Sequence, residues 1–491
     1  MRREVTSLCA ESHDVVVVGG GIHGACTAWE AARRGLKVAL VEAGDFNAAT
    51  SANSLRTLHG GLRHLQRLDF QQMRISIRQR REWLRLAPEL TRPQRFVVPL
   101  NERRSVVQAA LWVNDRISAD RNVAVRQDHH LPAGSLLTPS EFTALFPGLA
   151  VTDCNLALAW YDGLCLDTER LQLAVIAAAV ACGARVANYV RALWPLREEG
   201  KIYGVHVRDE LTGTGMALRA PVVINAAGPA IEEWLPRARS VLFKASRAFN
   251  LLVRKLPFQD AVGLKVGGGT YFIIPWNGYS LVGTRHLPGD RLEVSREEVA
   301  EFLAELNPLL GDLAIKDICG VFSGLLPATA GVNLERASRI VDHAVQGLRG
   351  LYSIVGVKWT TALSVGEAAA ARACRQLGRS LRPMRERVLD TTVPPVGDTA
   401  RVVPDLPVVM GHIVHAVREE MAVHLWDVIR RRTPLYLSRS FDHSALASCA
   451  AVMARELRWN PRTVAAEIDL AEAELVAFRG PLWAASRPAA A

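Results

Sequence analysis

No C-x-x-C pair occurs anywhere in these 491 residues. The eight cysteines (Cys9, Cys26, Cys154, Cys165, Cys182, Cys319, Cys374 and Cys449) stand singly. None has zinc-type Cys/His spacing, so no metal centre is expected. Cys26 and Cys182 fall in apolar helical context and read as core thiols. No RNA-binding signature, heptad or internal repeat is present, which excludes a coiled coil and argues against a nucleic-acid partner. Residues 1–12 lack a long apolar stretch, so no signal peptide is expected. Scattered thiols and no signal peptide together predict the reducing cytoplasm. The longest apolar run, residues 171–181, is soon followed by Gly183 and Arg185 and is too short to span a bilayer.

What is present is an ordinary globular composition, 49% hydrophobic and 22% charged, with length for two or three domains. Net charge is +10, and Arg is dense over residues 63–104. Two readings of that charge stand: a solvated Arg-rich surface, or attraction to an anionic substrate or anionic lipid.

The most informative stretch is 14–61. A β-branched run over 14–18 ends in Gly19, and Gly19, Gly21 and Gly24 follow the G-x-G-x-x-G spacing. A helical pattern runs to Arg34, Gly35 stops it, and a second strand over 37–41 ends at Glu42. This strand–turn–helix–strand context is what a dinucleotide fingerprint requires. Gly19 serves the tight turn, Gly21 the backbone approach to a pyrophosphate, and Gly24 the packing of helix on strand. The helix N-terminus offers N–H groups to phosphate. Glu42 suits a ribose hydroxyl and repels a 2′-phosphate. These residues alone do not separate FAD from NAD.

Further along, helices are expected over 69–88, 106–118, 138–146, 167–181, 295–306 and 360–377. The helix over 106–118, with Trp112, reads better as a core helix than as a lipid-touching one, and the Arg74–Arg85 series as a solvated face. Strands are expected over 95–99, 156–161, 185–190, 222–226, 242–253, 270–275, 279–284 and 351–357. Asp162-Gly163 reads as a turn, and Asn277-Gly278 as a hairpin turn. A helix is expected beyond Gly228-Pro229. Residues 393–407 read as a linker, and the chain is helical and Arg-rich from 409.

Three separated pieces point to a flavoprotein. They are 14–63, with its Ser/Thr-rich extension into His59-Gly60-Gly61-Leu62-Arg63; Val223-Ile224-Asn225-Ala226-Ala227-Gly228-Pro229; and Gly356-Val357-Lys358-Trp359-Thr360-Thr361. With Ile274-Pro275-Trp276, Gly283-Thr284 and the C-terminal run Asp427-Val428-Ile429-Arg430-Arg431-Arg432-Thr433, the chain resembles the FAD-dependent glycerol-3-phosphate dehydrogenase family. That family lies within the D-amino-acid-oxidase-like flavoprotein superfamily. The resemblance implies an α/β fold: a discontinuous FAD-binding Rossmann-like domain (13–70, 150–240 and 340–380) and a β-sheet substrate domain (71–149 and 241–339). A C-terminal helical domain (395–480) and a tail (481–491) would follow.

The resemblance also implies FAD as cofactor and hydride transfer from a secondary alcohol of a small anionic substrate. The acceptor would be a quinone or another carrier. The chain would be cytoplasmic, with peripheral contact at the inner face of the cytoplasmic membrane as a variant. Candidate cofactor contacts are Gly19, Gly21, Ile22, His23, Gly24, Glu42, Ala43, Thr50, Ser51, Ser54, His59, Gly60, Gly61, Val190, Ala227, Gly228, Gly356, Lys358, Trp359 and Thr360. Candidate catalytic or substrate residues are His59, Arg63, Lys358, Arg247 and Arg285, with His64 and His286 as rival bases. Arg339 falls near a later phosphate-binding Arg.

Several positions depart from the family pattern. Leu326 stands where the family has an active-site Arg, Arg247 where it has a His, and Arg285-His286 end its G-T-T-D segment. Leu363 replaces a further Arg. The loss at Leu326 removes a fork of donors, and Arg247 and Arg285 are expected to restore cations from other directions. Two alternatives stay open: a flavin amine oxidase, and a flavin-binding protein with degenerate catalysis.

Overall fold

A computed structural model describes residues 1–65, 67–151, 153–236, 241–311 and 313–479. The expected tail, 481–491, lies outside them. The chain forms two compact units, each assembled from separated segments.

The first unit comprises Met1–Ala52, Thr168–Lys244 and Glu335–Leu475. Its centre is a six-stranded sheet in the order Arg339–Asp342, Leu351–Val355, Val222–Asn225, Val15–Val18, Val38–Val41, Arg185–Ala187. The last five are mutually parallel. Val15–Val18 and Val38–Val41 are buried at every residue, as a continuous apolar run in a doubly covered parallel strand should be. Helices Ile22–Ala32, Thr168–Ala181 and Ala362–Gln376 accompany this sheet. A Cβ on Gly366 would lie 2.7 Å from the Cys26 backbone, so two of these helices touch almost backbone to backbone. A second sheet joins Val190–Glu198, Lys201–Asp209 and Gly215–Arg219. The helical segment beginning at Met410–Glu420 also lies in this unit.

The second unit comprises Asn53–Asp167, Ala245–Leu334 and the chain from Val476. A ten-stranded sheet dominates it, including Lys244–Arg254, Tyr279–Pro288, Gly269–Trp276, Thr91–Leu100 and Leu156–Cys165. Asn277 and Gly278 both have positive φ, 47° and 79°, and turn the tight hairpin between Gly269–Trp276 and Tyr279–Pro288. Helix Arg296–Leu310 starts with a capping box, Ser295 and Glu298, and buries Phe302 and Leu306 against Phe249, Ile273 and Val282 of the sheet.

Four expectations need correction. Asp162-Gly163 is not a turn: strand Leu156–Cys165 runs through it, fully paired with Thr91–Leu100. Among the described residues just beyond Gly228, a 3-10 turn, Gly228–Ala230, stands in place of the expected helix. Helix Arg104–Ile117 buries only Val107 and Leu111 and leaves Val106 and Trp112 exposed, so it is a surface helix. The Arg74–Arg85 series is not wholly solvated, because Arg80 is buried. Among the described residues no helix is long and apolar enough to cross a membrane.

Candidate active site

In the first unit, sheet order brings three distant pieces side by side. Strand Val222–Asn225 pairs with Val15–Val18 on one edge and with Leu351–Val355 on the other, all parallel. Gly19, Ala226–Gly228 and Gly356–Lys358 therefore emerge together at the carboxyl ends, where open α/β sheets bind ligands. The fit is tight. A Cβ on Gly24 would sit 1.8 Å from Gly19 O, and one on Gly19 would sit 2.5 Å from Ala226 O. The His23 ring lies against Gly356, whose Cβ would fall 2.4 Å from it.

The acidic end of the second strand is also built as expected. Glu42 accepts from Gly20 N (2.6 Å) and Gly44 N (2.9 Å), and Val190 N donates to Glu42 O (2.7 Å). Burial pushes the Glu42 carboxyl up, offset in part by those N–H groups. A carboxylate has about four acceptor positions, so two bonds leave capacity for ribose hydroxyls. Ala43 follows it in sequence. Thr50 and Ser51 occupy a 3-10 turn, and Ser51 Oγ accepts from Ile22 N at 3.1 Å, beside Gly21 at the helix start. Ala227 N donates to Asn225 Oδ1 (3.2 Å), and Gly228 has φ +58°. Lys358 precedes the turn Trp359–Thr361, in which Thr360 is buried.

Two observations test whether a cofactor fits here. Asn47 is 1% exposed, yet neither polar atom of its side chain has a hydrogen-bond partner among the described residues. His23 is half-buried, with Nε2 sealed from solvent and likewise unpartnered; burial pushes its pKa down to about 4. Buried unpaired polar groups cost about 1–3 kcal/mol each, so a polar ligand is the natural partner, and the cradle fits a dinucleotide. Asn47 escaped the sequence reading. Its one signal is an Asn after a Gly-Asp-Phe turn, a residue that tolerates its φ of +63°.

Ser54, His59, Gly60, Gly61 and Arg63 belong to the second unit. Strand Thr57–Leu58 pairs with Gly163-Leu164 and delivers His59-Gly60 onto Asp162. Gly60 N donates to Asp162 Oδ1 (2.7 Å) and Trp160 Nε1 to Oδ2 (3.2 Å); His59 Nδ1 lies 3.8 Å from Oδ2. Arg80 pairs with the same carboxylate and donates to Tyr161 O at 2.9 Å. A Cβ on Gly60 would collide with the Arg80 guanidinium. Burial would raise the Asp162 carboxyl, but Arg80, His59 and the Gly60 N–H outweigh it and hold the pKa below the usual range. The His59 side chain is 49% exposed, so an anchored imidazole faces outward. Asp162 and Arg80 were missed because Asp-Gly is also a turn signal and Arg80 sits in a row of arginines whose pattern reads as a solvated face.

Arg63, in helix Leu62–Leu65, pairs with no carboxylate among the described residues. His286 has its pKa lowered by burial and by Arg63, and its Nδ1 is sealed and unpartnered. Thr284 Oγ1 donates to Asn250 Oδ1 (2.8 Å). His64 Nδ1 lies 4.0 Å from Asp69.

Arg247 and Arg285 are not the free cations expected. Arg247 pairs with Glu298 and donates to Glu293 O. Arg285 pairs with Glu305, donates to Tyr271 Oη (3.2 Å), and lies over Phe302 at 5.5 Å. The reason is strand alternation. Arg247 shares parity with Phe249, and Arg285 is directly opposite Phe249, so all three point toward helix Arg296–Leu310. His286 and Thr284 point to the other face. Leu326 shares parity with Phe322, which packs on Trp276 on that other face. Arg339 is engaged by Glu335 at 3.1 Å and Leu242 O.

Comparison with known proteins gives consistent matches. The family described as DAO, FAD dependent oxidoreductase, matches residues 14–372, and the C-terminal domain of alpha-glycerophosphate oxidase matches residues 358–464. A glycerol-3-phosphate dehydrogenase of Mycobacterium leprae is 30% identical over 93% of this chain and 87% of its own. One from Synechocystis sp. is 29% identical over 91% and 93%. In fold, the chain is similar to the glycerol-3-phosphate dehydrogenase from Bacillus halodurans solved with FAD: TM-score 0.73, 21% identity, 97% of each chain covered.

Proposed function

The chain belongs to the FAD-dependent glycerol-3-phosphate dehydrogenase family, and from that premise we propose that it oxidises a secondary alcohol of a small anionic substrate, glycerol 3-phosphate or a close relative, to the ketone. FAD, when bound, supplies the hydride acceptor. The cradle of Gly19, Gly21, Gly24, Glu42, Ser51, Ala227, Gly228 and Gly356 would hold its dinucleotide part, with Asn47 and His23 as additional polar contacts.

The observation that carries this reading is the outward imidazole of His59 anchored on Asp162. His59 takes the hydroxyl proton as the carbon–hydrogen bond is broken. Asp162 turns the ring and supports the imidazolium that results, and Arg80, Trp160 and Gly60 N hold Asp162 in turn. Arg63 meets the substrate anion because it pairs with no carboxylate among the described residues, and a dianion in a partly dry pocket needs paired charge. His286, which feels the Arg63 charge and whose Nδ1 has no partner among the described residues, supplies a second donor. Lys358, at the start of the turn after Leu351–Val355, is assigned to the flavin end of the substrate. Electrons would leave to a quinone or another carrier, with peripheral membrane contact the accompanying arrangement for a quinone.

Anaerobic mixing of the yellow holoenzyme with glycerol 3-phosphate and other phosphorylated polyols tests this through flavin absorbance at about 450 nm. Bleaching by a phosphorylated alcohol is expected. Bleaching by an amino acid but by no phosphorylated alcohol would replace the reading with an amine oxidase. No bleaching by either would leave a flavin-binding protein with degenerate catalysis.

A further inference from the structure

Arg430, Arg431 and Arg432 form most of a single π-helical turn, Val428–Arg432, and all three are buried. Three consecutive buried arginines need a reason. Arg430 pairs with Glu169 and lies over Tyr436. The other two converge on one carboxylate almost 390 residues earlier in the chain. Arg431 Nε donates to Asp45 Oδ2 (2.5 Å), Arg432 Nη2 donates to Oδ1 (2.8 Å), and Arg432 Nη1 reaches Oδ2 as well. Asn188 Nδ2 adds a bond to Asp45 Oδ1 (2.9 Å), and Arg431 Nη2 donates to Asp427 Oδ1 (2.5 Å). Asp427 also accepts from Tyr189 Oη at 2.7 Å. The set is two carboxylates against two guanidiniums. It is neutral as a whole and holds a charge in balance at every member.

Asp45 sits in the segment that shapes the adenosine end of the cradle. Three residues before it, Glu42 accepts from Gly20 and Gly44. The next residue, Phe46, is fully buried, and a Cβ on Gly20 would lie 2.6 Å from its ring. Asn47, one position further on, donates its N–H to Gly20 O (3.3 Å) and carries the unpartnered amide. Loop 42–47 is thus tied to the glycine-rich turn on one side and to the C-terminal arginines on the other.

We propose that Arg431 and Arg432 are positioning residues for the cofactor: by fixing Asp45 they hold loop 42–47, and through it Glu42 and Asn47, in the shape that grips the adenosine half of FAD. The C-terminal helical segment is then a retention element for FAD, whatever the substrate, so this inference survives failure of the substrate assignment above. Coupling of this kind is reciprocal. If the clamp tightens FAD, FAD must tighten the clamp.

Full-length variants test it. Arg432→Met and Asp45→Asn are expected to weaken FAD binding to the stripped protein by about tenfold to a hundredfold. The double variant should be scarcely worse than Asp45→Asn alone, because the Arg432 contact with Asp45 is already broken there. Leu446→Ala, in helix His443–Leu457 of the same segment, removes buried apolar volume but no polar partner of Asp45 and serves as the control for mere destabilisation. It should lower the unfolding temperature and leave the FAD dissociation constant near wild type. Equal loss of FAD affinity in Leu446→Ala and Arg432→Met, or folded Arg432→Met binding FAD like wild type, overturns the proposal. Where Arg432→Met fails to fold, hydrogen exchange on the wild-type protein decides. Added FAD should slow exchange over residues 425–437, and unchanged exchange there overturns the proposal.

Discussion

His59 Nδ1 lies 3.8 Å from Asp162 Oδ2, and the same carboxylate is held by Arg80, Trp160 and the Gly60 N–H. Asp162 is thereby both a support for an exposed imidazole and the counter-charge of a buried guanidinium. The two roles separate experimentally.

Asp162→Asn should slow anaerobic flavin reduction by about a hundredfold, the scale of a lost acid–base contribution. It should also cost about 3–5 kcal/mol in urea unfolding, because Arg80 keeps a buried charge with no carboxylate. Pairing it with Arg80→Met should recover much of the stability and little of the rate. Recovery of both together would show that Asp162 acts only through folding.

Arg63 and Arg285 should respond oppositely. Arg63→Met should raise the substrate KM by about tenfold or more, on the scale of ~1.5–3 kcal/mol for a charged hydrogen bond. Arg285→Met should lower the unfolding midpoint and leave KM nearly unchanged, since Arg285 is engaged by Glu305 on the helix-facing side of the sheet. Steady-state kinetics alongside denaturation distinguish them, and a reversed pattern would place the substrate on the other face.

Leu326→Arg restores a guanidinium on the face that carries His286. If the ligand is a phosphorylated alcohol, its KM should fall by about tenfold. An unchanged or higher KM would mean that the native substrate of this pocket is shaped around leucine.

Acid should weaken the protein through His23. Its imidazole titrates at 6.5 in the unfolded chain and at about 4 when buried in the fold. Between those values the unfolded state binds a proton that the folded state refuses. Stability therefore falls as pH drops from 6.5 toward 4, by at most about 3 kcal/mol. Urea midpoints of the FAD-free protein across that range should show a flatter profile for His23→Gln. An unaltered profile would assign the acid sensitivity to other groups.

Gly24→Ala should yield colourless protein, because its Cβ would sit 1.8 Å from Gly19 O. The helix would have to move off the turn that presents N–H groups to phosphate. Flavin content after purification measures this directly.

Local patterns were legible wherever neighbours along the chain decide the outcome. The glycine spacing, the β-branched strands, the Asn277-Gly278 hairpin and the Ser295–Glu298 capping box are short-range physics, and each formed where its residues stand. The dinucleotide cradle was legible too, because it needs glycine where backbones touch, and the pieces at 223–229 and 356–361 narrowed the dinucleotide to a flavin. Sequence could not say which face of a strand an arginine would take once its register was set. Arg247 and Arg285 turned toward Glu298 and Glu305 through alternation against a helix laid on the sheet. Nor could it pair Asp162 with Arg80 or Asp45 with Arg431 and Arg432, partners 82 to 387 positions apart. Burial makes an unpaired charge costly, and only the packed chain determines which charges are buried together. Sequence alone determined the glycine-rich cradle; tertiary structure decided which arginines and which carboxylates are buried together.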